Sequence, residues 1–257
     1  MRTHDEAVQQ QFDPQANAFL TSPVHAQGPD LQAAKALVAG AIPSSGQAID
    51  LGCGAGHLSF ALAPHLSKVI AVDPSPNMLA TVTREATARG LPQIGVKQAS
   101  AESLPFADGQ FDLACTRYST HHWRHLPQAL RNAQRILKPT GYILVIDLLG
   151  HEDPLVDTHL QTLEVLRDPS HVRSRSTKEW TTFLQDAGFS LIEHRSWPVR
   201  IVFDAWIERI RTPPERASLI RAFQDGAPQE VQEALKFERD GSFTCDTGSF
   251  WARAKAQ

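Results

Sequence analysis

The run Asp50-Leu-Gly-Cys-Gly-Ala-Gly56 lies between two apolar stretches. Glycines at 52, 54 and 56 let the chain turn tightly with positive φ and bring bare backbone against a ligand, and a helix starting there offers unpaired N–H groups. Asp73 stands 23 residues beyond Asp50, at the end of the next apolar run. A carboxylate at that place can accept two hydrogen bonds from a ribose diol, so loop and acid together predict a nucleoside ligand. A dinucleotide loop spaces its glycines differently, at first, third and sixth positions. Asp50 would also repel a pyrophosphate and suits a ligand with a cationic amino-acid end. A second group, Tyr118, His121, His122 and Trp123, can face an acceptor. Histidine removes a proton near pH 7, while Tyr and Trp wall off a cation. His122 is read first as general base, with a loop histidine bonded to backbone as the bland alternative. His171, Arg173 and Arg175 follow Pro169 as a small basic run that either holds an acidic acceptor or is solvated.

The elements that must position these residues alternate in type. Strands are read at 48–51, 69–72, 94–98, 111–115, 142–148, 189–197 and 243–254, and helices at 58–66, 77–89 and 126–137, with a Pro139-Thr-Gly141 turn. Strand and helix recur at intervals that predict a mostly parallel sheet with helices on both faces, the last strand antiparallel. Residues 30–42 suit one helix, closed by Pro43. Residues 1–29 are read as a cover segment carrying Phe12 and Phe19, with His25 and Ser22-Pro23 inside it. Residues 30–257 are read as one domain, in which 151–175 and 199–240 are lid or substrate-side additions with little core of their own.

Composition narrows the function. Hydrophobic residues are 42% and charged residues 21% of 257, which excludes disordered and fibrous classes. A net charge of −3 without basic blocks disfavours nucleic-acid binding. Three scattered cysteines argue against a disulfide framework and for a reducing compartment, here the cytoplasm. No apolar run reaches membrane-spanning length. No His or carboxylate spacing points to a metal.

The glycine run Asp50 to Gly56 resembles the first motif of class I S-adenosylmethionine-dependent methyltransferases, and Val72-Asp-Pro-Ser-Pro-Asn-Met-Leu79 resembles their second. Ala101-Glu-Ser-Leu-Pro-Phe106 and Arg135-Ile-Leu-Lys-Pro-Thr-Gly141 resemble segments of the small-molecule branch that holds the ubiquinone and menaquinone biosynthesis C-methyltransferases. Arg117-Tyr-Ser-Thr-His-His-Trp123 and Glu164-Val-Leu-Arg-Asp-Pro-Ser-His171 look like a subgroup of that branch, with no reaction attached.

The resemblance implies a Rossmann-like three-layer α/β/α sandwich with a seven-stranded sheet. It implies S-adenosylmethionine as donor, S-adenosylhomocysteine as product, and in-line attack of a small-molecule acceptor on the sulfonium methyl. Gly52 and Gly54 would lie against the methionine portion and Asp73 would hold the ribose hydroxyls, with Asp50, Cys53, Gly56 and Pro74 also contacting the cofactor. Met78, Ala101 and Glu102 would border adenine, Thr116 and Arg117 the sulfonium region, and Phe19 would cover the cofactor. Trp123, His171 and Arg173 are the expected acceptor contacts. A nicotinamide-dependent oxidoreductase, a noncatalytic cofactor-binding protein and an RNA or protein methyltransferase remain as alternatives, and monomer or homodimer is open.

Overall fold

The computed structural model describes residues 3–15, 19–20 and 28–255, so the readings at Ser22, Pro23 and His25 lie outside the described residues. The sheet contains β1 (Gln47–Leu51), β2 (Lys68–Asp73), β3 (Ile94–Gln98), β4 (Phe111–Arg117), β5 (Leu137–Leu148), β6 (Phe189–Ile201) and β7 (Phe243–Ala254). Their order is β3-β2-β1-β4-β5-β7-β6. Pairs among the first five are parallel, and β7 runs antiparallel to both β5 and β6.

Double-sided burial explains the unbroken apolar runs. In β4 and β5, Ala114, Ile143 and Val145 enter one cluster with α5 (Leu126–Ile136) and α7 (Thr177–Asp186). Their neighbours Leu113, Cys115, Leu144 and Ile146 enter the opposite cluster, with α2 (Pro29–Ala41) and α3 (His57–Leu62). Ser75 caps α4 (Pro76–Ala88) by accepting from the Met78 N–H at 3.1 Å, which starts that helix just beyond β2.

Several boundaries differ from the sequence reading, each for a local reason. α3 stops at Leu62 and a 3₁₀ turn takes Ala63–His65, because Pro64 has no N–H to continue the ladder. Pro139 to Gly141 belongs to β5, where the register shifts as Phe111 pairs Leu137 and Leu113 pairs Tyr142. The extra residues are absorbed as an irregularity of the strand.

The chain after Gly150 has more core than expected. Val156, Leu160 and Leu163 of α6 (Pro154–Arg167) pack with Phe203 and Trp206 of α8 (Phe203–Arg209), Ile220 of α9 (Pro214–Asp225) and Leu235 of α10 (Gln229–Leu235). Pro213 and Pro228 stand at helix starts, where a missing N–H costs nothing, and divide the apolar positions among short helices. No one helix therefore shows the full pattern. At the other end, α1 (His4–Phe12) begins with a capping box between Thr3 and Glu6.

Candidate active site

The carboxyl ends of β1, β2 and β4 open into a cavity of about 1200 Å³, counting its mouth. Gly52, at φ +66°, passes so close to Ser119 that a Cβ would lie 1.8 Å from its Oγ. Gly54, at φ +50°, has open space where a Cβ would be, and its N–H donates to Asp73 Oδ2 at 2.9 Å. Asp73 Oδ1 accepts from the Ser75 N–H at 2.9 Å. These bonds aim the carboxylate but do not offset its burial, which pushes its pKa up to about 6.

Asp50 is fully buried beside the loop. Its Oδ2 accepts from the Ser59 hydroxyl at 2.6 Å, while Oδ1 has no hydrogen-bond partner among the described residues. Burial raises its pKa to about 6, with Ser59 opposing and the Asp73 charge adding. A buried oxygen without a donor, at the edge of a cavity, fits a cationic N–H group. Cys53, Pro74, Met78, Ala101 and Glu102 line the same cavity, as do Phe19 and Arg117. Glu102 Oε1 accepts from the His125 N–H at 2.8 Å, which holds the loop after β3 against the start of α5. Arg117 is ion-paired with Asp30, and its guanidinium lies 4.6 Å from the centroid of the Tyr118 ring.

Three expected contacts are placed elsewhere. Gly56, at φ +89°, does not line the cavity; a Cβ there would meet Phe60 and Val82 at 2.9 Å, so it serves the close packing of α3. Thr116 is buried within β4 and lines neither cavity described here. Trp123, expected at the acceptor, lines the first cavity instead, where its Nε1 donates to Ser119 Oγ at 3.1 Å.

A second cavity, about 710 Å³ counting its mouth, shares Phe12, Phe19, Tyr118 and His122 with the first. His121 and His171 line it. His121 Nδ1 lies 2.7 Å from Oδ1 of Asp147, which is buried near the end of β5 and also accepts from the Thr120 and Leu148 N–H groups, each at 2.8 Å. Burial alone would lower the His121 pKa, but the Asp147 charge and hydrogen bond outweigh it and raise it above the ordinary histidine value. Burial works against the Asp147 carboxylate too, and the His121 charge with these hydrogen bonds holds its pKa below the usual range. Its neighbours behave oppositely. Burial and then the His121 charge push His122 down to about 4, and the same influences keep His171 far below 6.5. Tyr118 is pushed up to about 12 by burial and the Asp30 charge, so its hydroxyl keeps its proton.

Arg173 is not brought to either cavity. It pairs with Asp157 at 2.9 Å and with Glu179 at 3.4 Å, 40% exposed. Several lining residues have no counterpart in the sequence reading. His57 donates to the Phe19 carbonyl at 3.0 Å and His4 to the His122 carbonyl at 2.9 Å, in the first cavity. Asp147 had a legible signal, an acid inside the most apolar strand; His4 had none. α1 also joins the two cavities' surroundings, since Gln9 donates to the Pro74 carbonyl at 3.2 Å and Gln11 to the Ile210 carbonyl at 2.9 Å. Among the described residues no group of three His, Cys, Asp or Glu side chains is arranged to hold a metal ion, and no helix is long and apolar enough to cross a membrane.

Comparison with known proteins bears on this geometry. A methyltransferase domain family model matches residues 49–145. The uncharacterized protein YafE of Escherichia coli K12 is 41% identical over 191 residues, 74% of this chain and 92% of the relative. The uncharacterized methyltransferase YcgJ of Bacillus subtilis is 32% identical over 87% of this chain and 88% of its own. The crystal structure of YcgJ superposes with a TM-score of 0.83 at 29% identity, covering 88% of this chain and 99% of that one. The ubiquinone/menaquinone biosynthesis C-methyltransferase UbiE of Bartonella henselae is 33% identical over 42% of this chain and 44% of its own.

Proposed function

The chain belongs to the S-adenosylmethionine-dependent methyltransferases, and from that premise we propose that it methylates a small organic acceptor held in the second cavity, with His121 as general base. The observation that carries this reading is a buried His–Asp pair in a cavity that shares four side chains with the donor cavity.

The donor cavity fits its cofactor. Asp73 would hold the ribose hydroxyls, and Asp50 the amino-acid ammonium through the oxygen that lacks a donor. Gly52, Cys53 and Gly54 would lie against the methionine portion, and Met78, Ala101 and Glu102 would border adenine, with Phe19 as cover. When bound, the cofactor supplies an electrophilic methyl on a sulfonium centre, and leaves as S-adenosylhomocysteine.

The rest is done by the chain. With Nδ1–H donating to Asp147, His121 keeps a lone pair on Nε2 for the proton of an acceptor hydroxyl or other acidic group. Asp147 fixes the ring and stabilises the imidazolium that forms. His122 and His171, kept neutral by burial, add no positive charge beside a cationic donor. Phe12 and Phe19, which line both cavities, and Trp206 in the second would give the path between them apolar walls that disfavour water. A concave site walled by side chains from α1, α6 and α8 takes a small molecule and not a folded macromolecule. Its openness also favours catalysis over a noncatalytic binder, whose acceptor space would be filled by side chains.

Calorimetric titration with S-adenosylmethionine and S-adenosylhomocysteine tests the donor half, and release of S-adenosylhomocysteine on adding small hydroxylated compounds tests the acceptor half. Binding and turnover that is lost in His121→Ala is the expected result. Turnover that persists in that variant removes His121 from the chemistry.

A further inference from the structure

The segment Glu164 to His171, a motif to which the sequence attached no reaction, builds one wall of the second cavity through Glu164, Arg167, Asp168 and His171, and Arg209 joins them from α8. The charges on this wall are unequally engaged. Arg167 donates through Nε to the Trp206 carbonyl at 2.9 Å, and its Nη1 lies 3.8 Å from Glu164 Oε2. Asp168 Oδ1 accepts from the Ser170 N–H at 2.8 Å and from its hydroxyl at 2.6 Å. The Arg209 side chain forms no hydrogen bond or ion pair among the described residues, and Glu164, on the same wall, is the counter-charge that acts on it. A partly desolvated guanidinium of this kind is costly, and burial lowers its pKa.

Resting on the acceptor-cavity reading above, we propose that Arg209 binds a carboxylate of the acceptor, so that the acceptor is a monoanionic, otherwise largely apolar small molecule. The guanidinium fork matches the two oxygens of a planar carboxylate. With Arg167 beside Glu164, the wall sets Arg209 against Asp168 and leaves no surplus positive charge for a dianion such as a phosphate monoester. The remaining walls, Phe12, Phe19, Leu148 and Trp206 among them, call for an apolar body.

The test uses the full chain saturated with S-adenosylhomocysteine. It is titrated calorimetrically with hydroxylated phenyl and cyclohexyl carboxylic acids, and with the primary amides and phosphate monoesters of the same skeletons. Acids are expected to bind about tenfold or more tightly than their amides. Arg209→Gln should abolish that preference, Arg209→Lys should keep part of it, and affinity for S-adenosylhomocysteine should stay unchanged in both as proof of an intact fold. Amides that bind as well as acids, a preference that survives Arg209→Gln, or phosphates that bind better than acids each overturn the proposal while the acceptor-cavity reading stands. If no series binds to protein that holds S-adenosylhomocysteine, the acceptor-cavity reading falls and takes the proposal with it.

Discussion

The two cavities meet along four side chains but are built in different ways. The first is made by loops that leave adjacent parallel strands, so Asp50, Gly52, Gly54 and Asp73 come from one strand-loop-helix unit and the next strand end. The second is assembled from His121 after β4, Glu164 and Arg167 on α6, Arg209 on α8 and Phe12 on α1, segments far apart in the chain. A site formed by local backbone is constrained by turn geometry. One formed by side chains from separate helices can change its specificity without disturbing the sheet. On the proposed assignment, donor chemistry and acceptor choice are thereby separated in the fold.

The sharpest way to break that separation is His121→Ala. It should lower turnover by about 10²- to 10⁴-fold at saturating donor, with the donor dissociation constant unchanged by calorimetry. A donor affinity that falls in parallel would mean the cavities are not independent. Asp147→Asn should slow turnover as well and carry a signature that a loss of fold would not: because Asp147 raises the His121 pKa, the ascending limb of the pH–rate profile should move to lower pH.

Asp73→Ala probes the other side. It should cost about 1–3 kcal/mol of donor affinity, the worth of a charge-assisted hydrogen bond, and leave acceptor binding to the S-adenosylhomocysteine-saturated protein intact.

A smaller effect sits within the donor cavity alone. Asp50 and Asp73 titrate near 6 in the free protein, and a bound cation and ribose hydroxyls favour their charged forms. Donor binding then releases protons below that pH, so affinity should rise as pH increases from about 5 to 7 and level off above, by up to about tenfold for each unit that a pKa falls on binding. Calorimetry in buffers of different ionisation enthalpy measures the proton release directly. A flat profile would remove Asp50 from the ammonium contact.

Arg173→Ala should do least. Its half-exposed pairs with Asp157 and Glu179 are worth at most about 1 kcal/mol, read as a small change in thermal midpoint, with turnover unaltered.

These contrasts follow what could be read in advance. The glycine loop, Asp73 and the alternation of strand and helix were legible because each depends on residues close in sequence. Burial of both faces followed from the unbroken apolar runs, and β7 pairs antiparallel as expected of the last strand. Its place in the run after β4 groups Trp123 with Tyr118 and the histidines, yet one turn of 3₁₀ helix sends it to Ser119 instead. The sequence alone puts His122 ahead of His121 as base. Two adjacent histidines cannot be ranked by type, and the choice rests on an aspartate 26 residues beyond His121.

By itself, the sequence determined the alternation of strands and helices and the glycine loop, since apolar periodicity, helix caps and glycine conformations act over a few residues. The tertiary structure alone decided which histidine is paired and which is kept neutral, that the Glu164 to His171 motif and Arg209 share a wall, and that α1 bridges both cavities. Charge, burial and hydrogen-bond partners are properties of neighbours in space, and for these residues the neighbours come from distant parts of the chain.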